Sequence, residues 1–374
     1  MRHLMQRLKL QSEKHKLISI ALLIGLGRIV ILILPLLIVG YQTHKPILLD
    51  STWNRWDTPH YLYITQHWYG TSGDEANFIV FPPLYPAIVT FANLLIKNVF
   101  TSALLVSNFF FILGSLVFYL LVKKDYDEQT ALKSLVLLNI FPTSYFFSIG
   151  YTESLFFFLL VSCFFFSQNK NWYESSLSGA LTFLTRTMGL ITLPTLFVSL
   201  LLEKINLKKK ILLSVLITIP FIISISTYLA VNWLLFGKIF AFKEVLETHW
   251  YKHLDFPWVS IKNSLGFLKI PLTHDSLMLG LFEGGLAILC FALIPFIIKK
   301  LKVRDWVYYI LSILFITSTS FLLSTPRYLL SIPPLFIFLA LISKRKIVFI
   351  PLVLIFSCLL LYFSVLFVKG QWAF

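Results

Sequence analysis

Between short clusters of Lys and Arg the chain carries one apolar run after another, each about 17–25 residues long, enough to cross a ~30 Å hydrocarbon layer at ~1.5 Å per residue. Such runs restrict the fold to a helical membrane bundle. Backbone in lipid must satisfy its hydrogen bonds internally, and the alternating ten-residue segments of a barrel are absent. Composition agrees, with 57% apolar, 17% aromatic and only 13% charged residues and a mean hydropathy of +0.81. A formal charge of +15 would point to nucleic acid in a soluble chain; here the side on which each cation falls carries the information.

With 1–16 taken as cytoplasmic, 17–41 becomes the first span, an uncleaved anchor with no small-residue cleavage site after it. A first outer loop covers 42–101, and 102–122 returns to Lys123-Lys124. Segments 134–149 and 152–167 form a pair joined outside. The run 176–202 has Lys170 before it and Lys204 and Lys208-Lys209-Lys210 after it, so a simple crossing would break the positive-inside rule. A hairpin entering from the cytoplasmic side and turning back at Thr185-Arg186-Thr187-Met188-Gly189 removes the conflict, with Gly189 and Pro194 available to interrupt the helix. Beyond it 211–236 goes out, 237–275 is a second large outer loop, 276–298 returns, 306–323 goes out, 328–342 returns and 347–368 ends outside. This arrangement puts 20 of the 32 Lys and Arg on the inner side.

The expected fold is therefore an all-α polytopic membrane protein, nine transmembrane helices plus one re-entrant hairpin, in a single domain over 1–374 with no internal repeat. The stretch 78–96 imitates a span, but crossing there would put Lys123-Lys124 outside, and Pro82, Pro83 and Pro86 suit a helix start at the surface. Cys163, Cys290 and Cys358 all fall in predicted spans and suggest no disulfide framework. His249 and His253 stand four apart without the Glu of a zinc-protease helix, so no metal site and no cofactor is expected. Loops of about 60 and 40 residues far exceed the usual ~4–6 and should carry the function. In the first, Thr58 can cap a helix with Pro59 at its first position, aligning Tyr61, Ile64 and Trp68 on an interfacial face and holding Asp57 at its start.

Trp56-Asp57-x-x-His60-Tyr61, an acid at Glu75 and Phe81-Pro82-Pro83-Leu84-Tyr85-Pro86 open a series of motifs. Phe141-Pro142-Thr143-Ser144 leading to Tyr151-Thr152-Glu153-Ser154, then Thr185-Arg186-Thr187-Met188-Gly189, then Pro326-Arg327-Tyr328 before Pro333, complete it. In content and order the series resembles the signature of the PIG-V type mannosyltransferases, integral membrane glycosyltransferases of the GT-C class, over residues from about 20 to 340. Two departures stand out: Pro82-Pro83 where the family often has a single Pro, and Thr187-Met188 in place of the commoner Ser-Asn. The resemblance implies a GT-C fold and inverting transfer of a hexose, typically mannose, from a polyprenyl-phosphate donor to an acceptor hydroxyl on the outer face. The donor is then a substrate and the acceptor a glycan, glycolipid or protein. The compact loops and lack of a retention signal favour a prokaryotic cell membrane.

A phosphate leaves without strong general-acid help, so a carboxylate that takes the acceptor's proton is the main requirement, unlike the carboxyl pair of glycosidases. Asp57 is the candidate base; its alternative is a helix cap. Glu153 either binds sugar hydroxyls or the acceptor, or caps the helix after it. Arg186 is costly at bilayer depth and would hold the carrier phosphate or lock the hairpin tip. Arg327 can grip two phosphate oxygens with its fork, or serve as an interfacial anchor. Trp56, His60, Glu75, Tyr85 and Tyr328 join the substrate-binding set through the resemblance. Arg28 reads as structural, paired with buried backbone or Glu283, while Trp53, Trp56 and Trp68 stack on sugars or form an interfacial belt. The competing classes are a transporter or lipid flippase, which would more often show paired broken helices, and a non-catalytic scaffold subunit, which would not need Asp57. Within the enzyme class the alternative is another sugar on the same carrier.

Overall fold

The computed structural model describes the backbone of residues 2–270 and 273–374 and side chains from residue 11 onward; Met1 of the basic N-terminus and Pro271 and Leu272 of the second long loop lie outside the described residues. Among these residues every element is helical, apart from an isolated antiparallel bridge between Leu254 and Thr319. In chain order, α1 (Arg2–Thr43) leads into the first long loop with α2 (Leu49–Trp53), α3 (Asp57–His67) and α4 (Leu84–Ile96). Next come α5 (Val99–Asp125), α6 (Glu128–Asn139), α7 (Glu153–Gln168), α8 (Trp172–Thr185), α9 (Thr192–Leu201) and α10 (Leu207–Phe236). The second long loop holds α11 (Ala241–Thr248) and α12 (Pro257–Leu265). A π-helix, Ser276–Gly285, runs on into α13 (Leu286–Lys300), followed by α14 (Val303–Thr317), α15 (Thr325–Tyr328), α16 (Pro333–Ile342) and α17 (Lys346–Val368).

Five of these helical stretches, Gln11–Thr43, Val99–Asp125, Leu207–Phe236, Ser276–Lys300 and Lys346–Val368, are long and apolar enough to cross a bilayer alone, and each coincides with an expected span. The chain is an integral membrane protein. The other expected spans are shorter or broken. Thr325–Ser331 and Pro333–Ile342 meet at 88°, so 328–342 is not a straight return, and α14 ends at Thr317 rather than 323. The proline-rich stretch bends by 111° between Asp74–Val80 and Leu84–Ile96, with α4 starting directly after Pro82-Pro83.

The expected span 134–149 is corrected most. Asp127 caps α6 by accepting from the Thr130 N–H at 2.7 Å, so the helix starts at Glu128, and it stops at Asn139 with Pro142 three residues on. Residues 140–152 then turn through the protein interior with only one 3₁₀ turn, Ser144–Phe147. Non-helical backbone survives at membrane depth only if other groups satisfy it. Arg28 donates to the carbonyls of Asn139 (2.6 Å) and Ser144 (2.9 Å) and lies over the Phe111 ring. Asn108 reaches Ser148 O, Ser154 reaches Phe147 O, and Ser107 reaches Tyr151 O. The buried-backbone reading of Arg28 thus holds; Glu283 has other partners.

The basic loop ends gather at one end of the bundle. Lys123 binds Glu13, Lys170 binds Glu203 (2.7 Å), Arg304 and Lys302 bind Asp125, and Lys133 donates to the carbonyls of Ser343 and Lys344. The Lys170–Glu203 pair closes the foot of α8 and α9, so both helices of the expected hairpin start and finish together. Its tip is the break at Arg186, which is extended (φ −152°, ψ 138°), and Gly189, where an added Cβ would lie 2.3 Å from the Phe183 nitrogen. Pro194 sits in the first turn of α9 rather than at the break.

Candidate active site

At the end of the bundle opposite those lysine clusters a pocket opens between the two long loops, lined among others by Asp57, Tyr61, Phe81, Arg186, Trp250, Lys252, Arg327 and Tyr328. Lys252 of the second long loop is one of its charges, and four other segments deliver the charges at the pocket and directly behind it. Asp57 is the first residue of α3, after Trp56 in the left-handed region (φ 56°); its own N–H is held by the Tyr151 hydroxyl at 3.1 Å. Arg186 comes from the hairpin tip, Arg327 from α15, and Glu153 from the first residue of α7.

Arg327 joins them. Its Nη1 donates to Asp57 Oδ2 at 2.7 Å and its Nε to Glu153 Oε1 at 2.5 Å, while Arg186 donates to the same Glu153 oxygen. Glu153 is fully buried and both guanidinium groups are nearly so, whereas the Asp57 side chain keeps 24% exposure. Rings cover the cations: Tyr151 at 4.4 Å and Phe146 at 4.9 Å from Arg327, Tyr328 at 4.7 Å from Arg186 and 5.7 Å from the Lys252 ammonium. A buried carboxylate shared by two arginines offsets its own desolvation, and without it two like charges would face each other. Toward the pocket the arrangement presents one carboxylate among Arg186, Arg327 and Lys252. It suits an anion beside a group that gives up a proton.

Several expected site residues fall elsewhere. Glu153 lies behind the pocket, and its side chain neither caps α7 nor faces the opening. Tyr85 is fully buried, its hydroxyl at 2.9 Å from Ser107 Oγ, and Glu75 lies beside Gly70 and Gly73, away from the lining. Trp56 is 45% exposed next to Asp57 without lining the pocket. His60 packs on Phe78, Phe81 and Trp250, one turn along α3 from Asp57. Burial depresses its pKa below the ordinary 6.5, with Asp57 opposing and His249 adding to the shift. Thr58 is no cap: its hydroxyl turns back to the Trp53 carbonyl, and Tyr61 and Ile64 face the protein core instead of an interface. Trp53 is wholly buried on Phe367, neither belt nor sugar platform.

Sequence reasoning missed Lys252 and Trp250. Their signal is the run His249-Trp250-Tyr251-Lys252-His253, in which a cation stands among aromatic rings. Among the described residues no cluster of three metal-ligating side chains occurs.

Residues 81–229, less than half of the chain, match the family model described as dolichyl-phosphate-mannose-protein mannosyltransferase. That stretch holds Glu153 and Arg186 but neither Asp57 nor Arg327. No curated protein matches by sequence. Among solved structures, the fold is similar to the crystal structure of ArnT from Cupriavidus metallidurans bound to undecaprenyl phosphate (TM-score 0.56, 14% identity, covering 91% of this chain and 62% of that one). It is also similar to the apo oligosaccharyltransferase of Archaeoglobus fulgidus (TM-score 0.52, 12% identity, 96% of this chain and 56% of that one). The chain thus spans less than two thirds of either protein's length. The architecture is the GT-C glycosyltransferase fold.

Proposed function

We propose that the protein is an inverting glycosyltransferase of the PIG-V kind that moves a hexose, mannose in the first instance, from a polyprenyl-phosphate donor to an acceptor hydroxyl. One observation carries the reading: a quarter-exposed carboxylate lines the pocket while Arg327, Arg186 and Lys252 face the same opening. The match of 81–229 to a mannosyltransferase model supports the sugar, and the undecaprenyl phosphate held by ArnT supports the class of carrier.

In this reaction the acceptor oxygen attacks the anomeric carbon from the side opposite the phosphate, the carbon–oxygen bond to phosphate breaks, and the carrier departs with both bonding electrons. The acceptor's proton goes to Asp57. Arg327 engages Oδ2; Oδ1 makes no hydrogen bond among the described residues, which leaves an acceptor for that proton. Arg186 and Lys252, with the free side of Arg327, take up the negative charge that grows on the phosphate, where fixed donors are most effective. Glu153 keeps two guanidinium groups side by side without repulsion.

The sorting of basic residues supports a cytoplasmic N-terminus and a pocket on the outer face of a prokaryotic cell membrane. The test is to incubate purified protein in lipid with a panel of polyprenyl-phosphate sugars and record which is consumed and which polyprenyl phosphate is released. Turnover of a mannosyl donor is expected; turnover of a different sugar replaces mannose, and release from none of them overturns the reading.

A further inference from the structure

The turn that carries Arg327 into the pocket is braced from the far side. Glu283 is fully buried in the π-helix Ser276–Gly285, and its two carboxylate oxygens accept from the backbone N–H groups of Ser324 (2.5 Å) and Thr325 (2.7 Å). Those are buried donors at the start of α15 with no helical partner, where no local side chain caps and Ser324 adopts a left-handed φ of 67°. Glu283 is thus the side chain that holds the backbone N–H groups of this turn, and the Thr143 hydroxyl adds a second hold by donating to the Pro326 carbonyl at 2.9 Å.

The brace is itself clamped. π-helices are rare and usually a single turn long, yet this one extends over ten residues, and its glycines lie against the second long loop. A Cβ on Gly280 would come within 2.6 Å of Leu268, and one on Gly284 within 3.1 Å of Ser264. The same loop is tied to the end of α14 and the segment leading from it toward Ser324: Ser260 donates to Thr317 O at 2.6 Å and Asn263 to Ser320 O at 2.8 Å.

We propose that Glu283 is a positioning residue for the transfer reaction, fixing the backbone at 324–325 so that Arg327 reaches Asp57 and Glu153 at once and Tyr328 faces Arg186. The proposal rests on the donor-pocket reading given above. A guanidinium that must meet two carboxylates from two other helices tolerates little displacement, and a misplacement of about 1 Å near reacting groups can cost roughly 100-fold in rate. Gln at 283 keeps the size but turns an NH₂ toward one of the two N–H donors. Asp keeps both acceptors and is one methylene short.

The experiment compares Glu283→Gln, Glu283→Asp, Arg327→Lys and the double variant Glu283→Gln/Arg327→Lys, each purified in lipid. Amide hydrogen exchange needs no substrate: Glu283→Gln should exchange faster across 320–331 and unchanged elsewhere, and parent-like exchange there overturns the brace. In the transfer assay Glu283→Gln should lose about 10–100-fold, with Glu283→Asp recovering to within about tenfold. Added to Arg327→Lys, it should cost nothing further, because both changes disable one unit. Losses that multiply in the double variant mean that Glu283 does not act through Arg327. If Glu283→Gln fails to fold, Glu283→Asp decides by exchange: acceleration confined to 320–331 supports the brace, and acceleration throughout or none refutes it. A parent protein that consumes no polyprenyl-phosphate sugar sinks the donor reading alone, and the exchange result still decides the bracing role.

Discussion

Asn in place of Asp57 separates catalysis from architecture, because the structure gives the two roles very different magnitudes. The Arg327–Asp57 bond of 2.7 Å survives as a hydrogen bond to the amide oxygen, and Arg327 keeps Glu153. Trading an ion pair at a quarter-exposed side chain for a guanidinium hydrogen bond to a neutral amide oxygen costs about 1 kcal/mol, a few degrees of melting temperature at most. The start of α3 depends on the Asp57 N–H, which the Tyr151 hydroxyl continues to hold. Losing the base removes about 10²–10⁴-fold in rate, roughly 2.7–5.4 kcal/mol of barrier. Donor affinity should stay level or tighten, since one negative charge leaves a pocket that keeps Arg186, Arg327 and Lys252. The assay pairs single-turnover transfer from the sugar donor with binding of that donor and thermal unfolding in the same detergent. Transfer at the parent rate would refute Asp57 as base; a collapse of stability alongside activity would make it an architectural group.

Three further outcomes test other parts of the account. Gly189→Ala should destabilise by about 3 kcal/mol or more, read as thermal unfolding, because its Cβ would meet helix backbone at 2.3 Å; a melting temperature equal to the parent's would show that the hairpin tip opens freely. The unfolded chain binds a proton at His60 near pH 6.5 that the folded chain resists, so this contribution to stability is complete above about pH 6.5 and declines as pH falls below it. His60→Phe should flatten the dependence of melting temperature between about pH 5 and 7, and an unaltered slope assigns it to other groups. In a Cys358→Ser background, which removes the exposed native thiol, cysteines at Ser72 and Lys262 should react with impermeant reagents in intact cells while one at Lys209 stays protected. The opposite labelling would invert the proposed orientation.

The long spans and the hairpin were legible because each rests on a local signal: an apolar run of bilayer length, or lysines at both ends of one. The interruption at 140–152 was not, since its backbone is satisfied by Arg28, Ser107 and Asn108 from distant helices as well as by Ser154 of the helix that follows, and apolar Phe residues fill it as they would a helix. Asp57, Arg186, Arg327 and Tyr328 could be named from motif order and do meet around one pocket, but nothing local reveals that Glu153 faces the arginines and turns away from the opening. Glu75 and Tyr85 share that motif series and lie outside the pocket, so sequence proximity to a site residue was a poor guide. Lys252 escaped notice because its neighbours in space, Tyr328 and Arg186, lie far along the chain.

The alternation Asp57–Arg327–Glu153–Arg186 draws on four points spread over most of the polypeptide, and this governs how the protein can be made. Glu153 and Arg186 emerge from the ribosome close together and can neutralise each other as a pair on entering the bilayer. Arg327 follows 141 residues after Arg186; at about 5–20 residues per second that is a delay of roughly 7–30 s. Throughout it, the half-built bundle carries the hairpin tip without its third charge and leaves Asp57 unpartnered in the first long loop. A nascent chain halted before residue 327 should therefore depend most heavily on the insertion machinery, and variants that weaken the Glu153–Arg186 pair should be lost there, during synthesis, before any finished enzyme exists to be assayed.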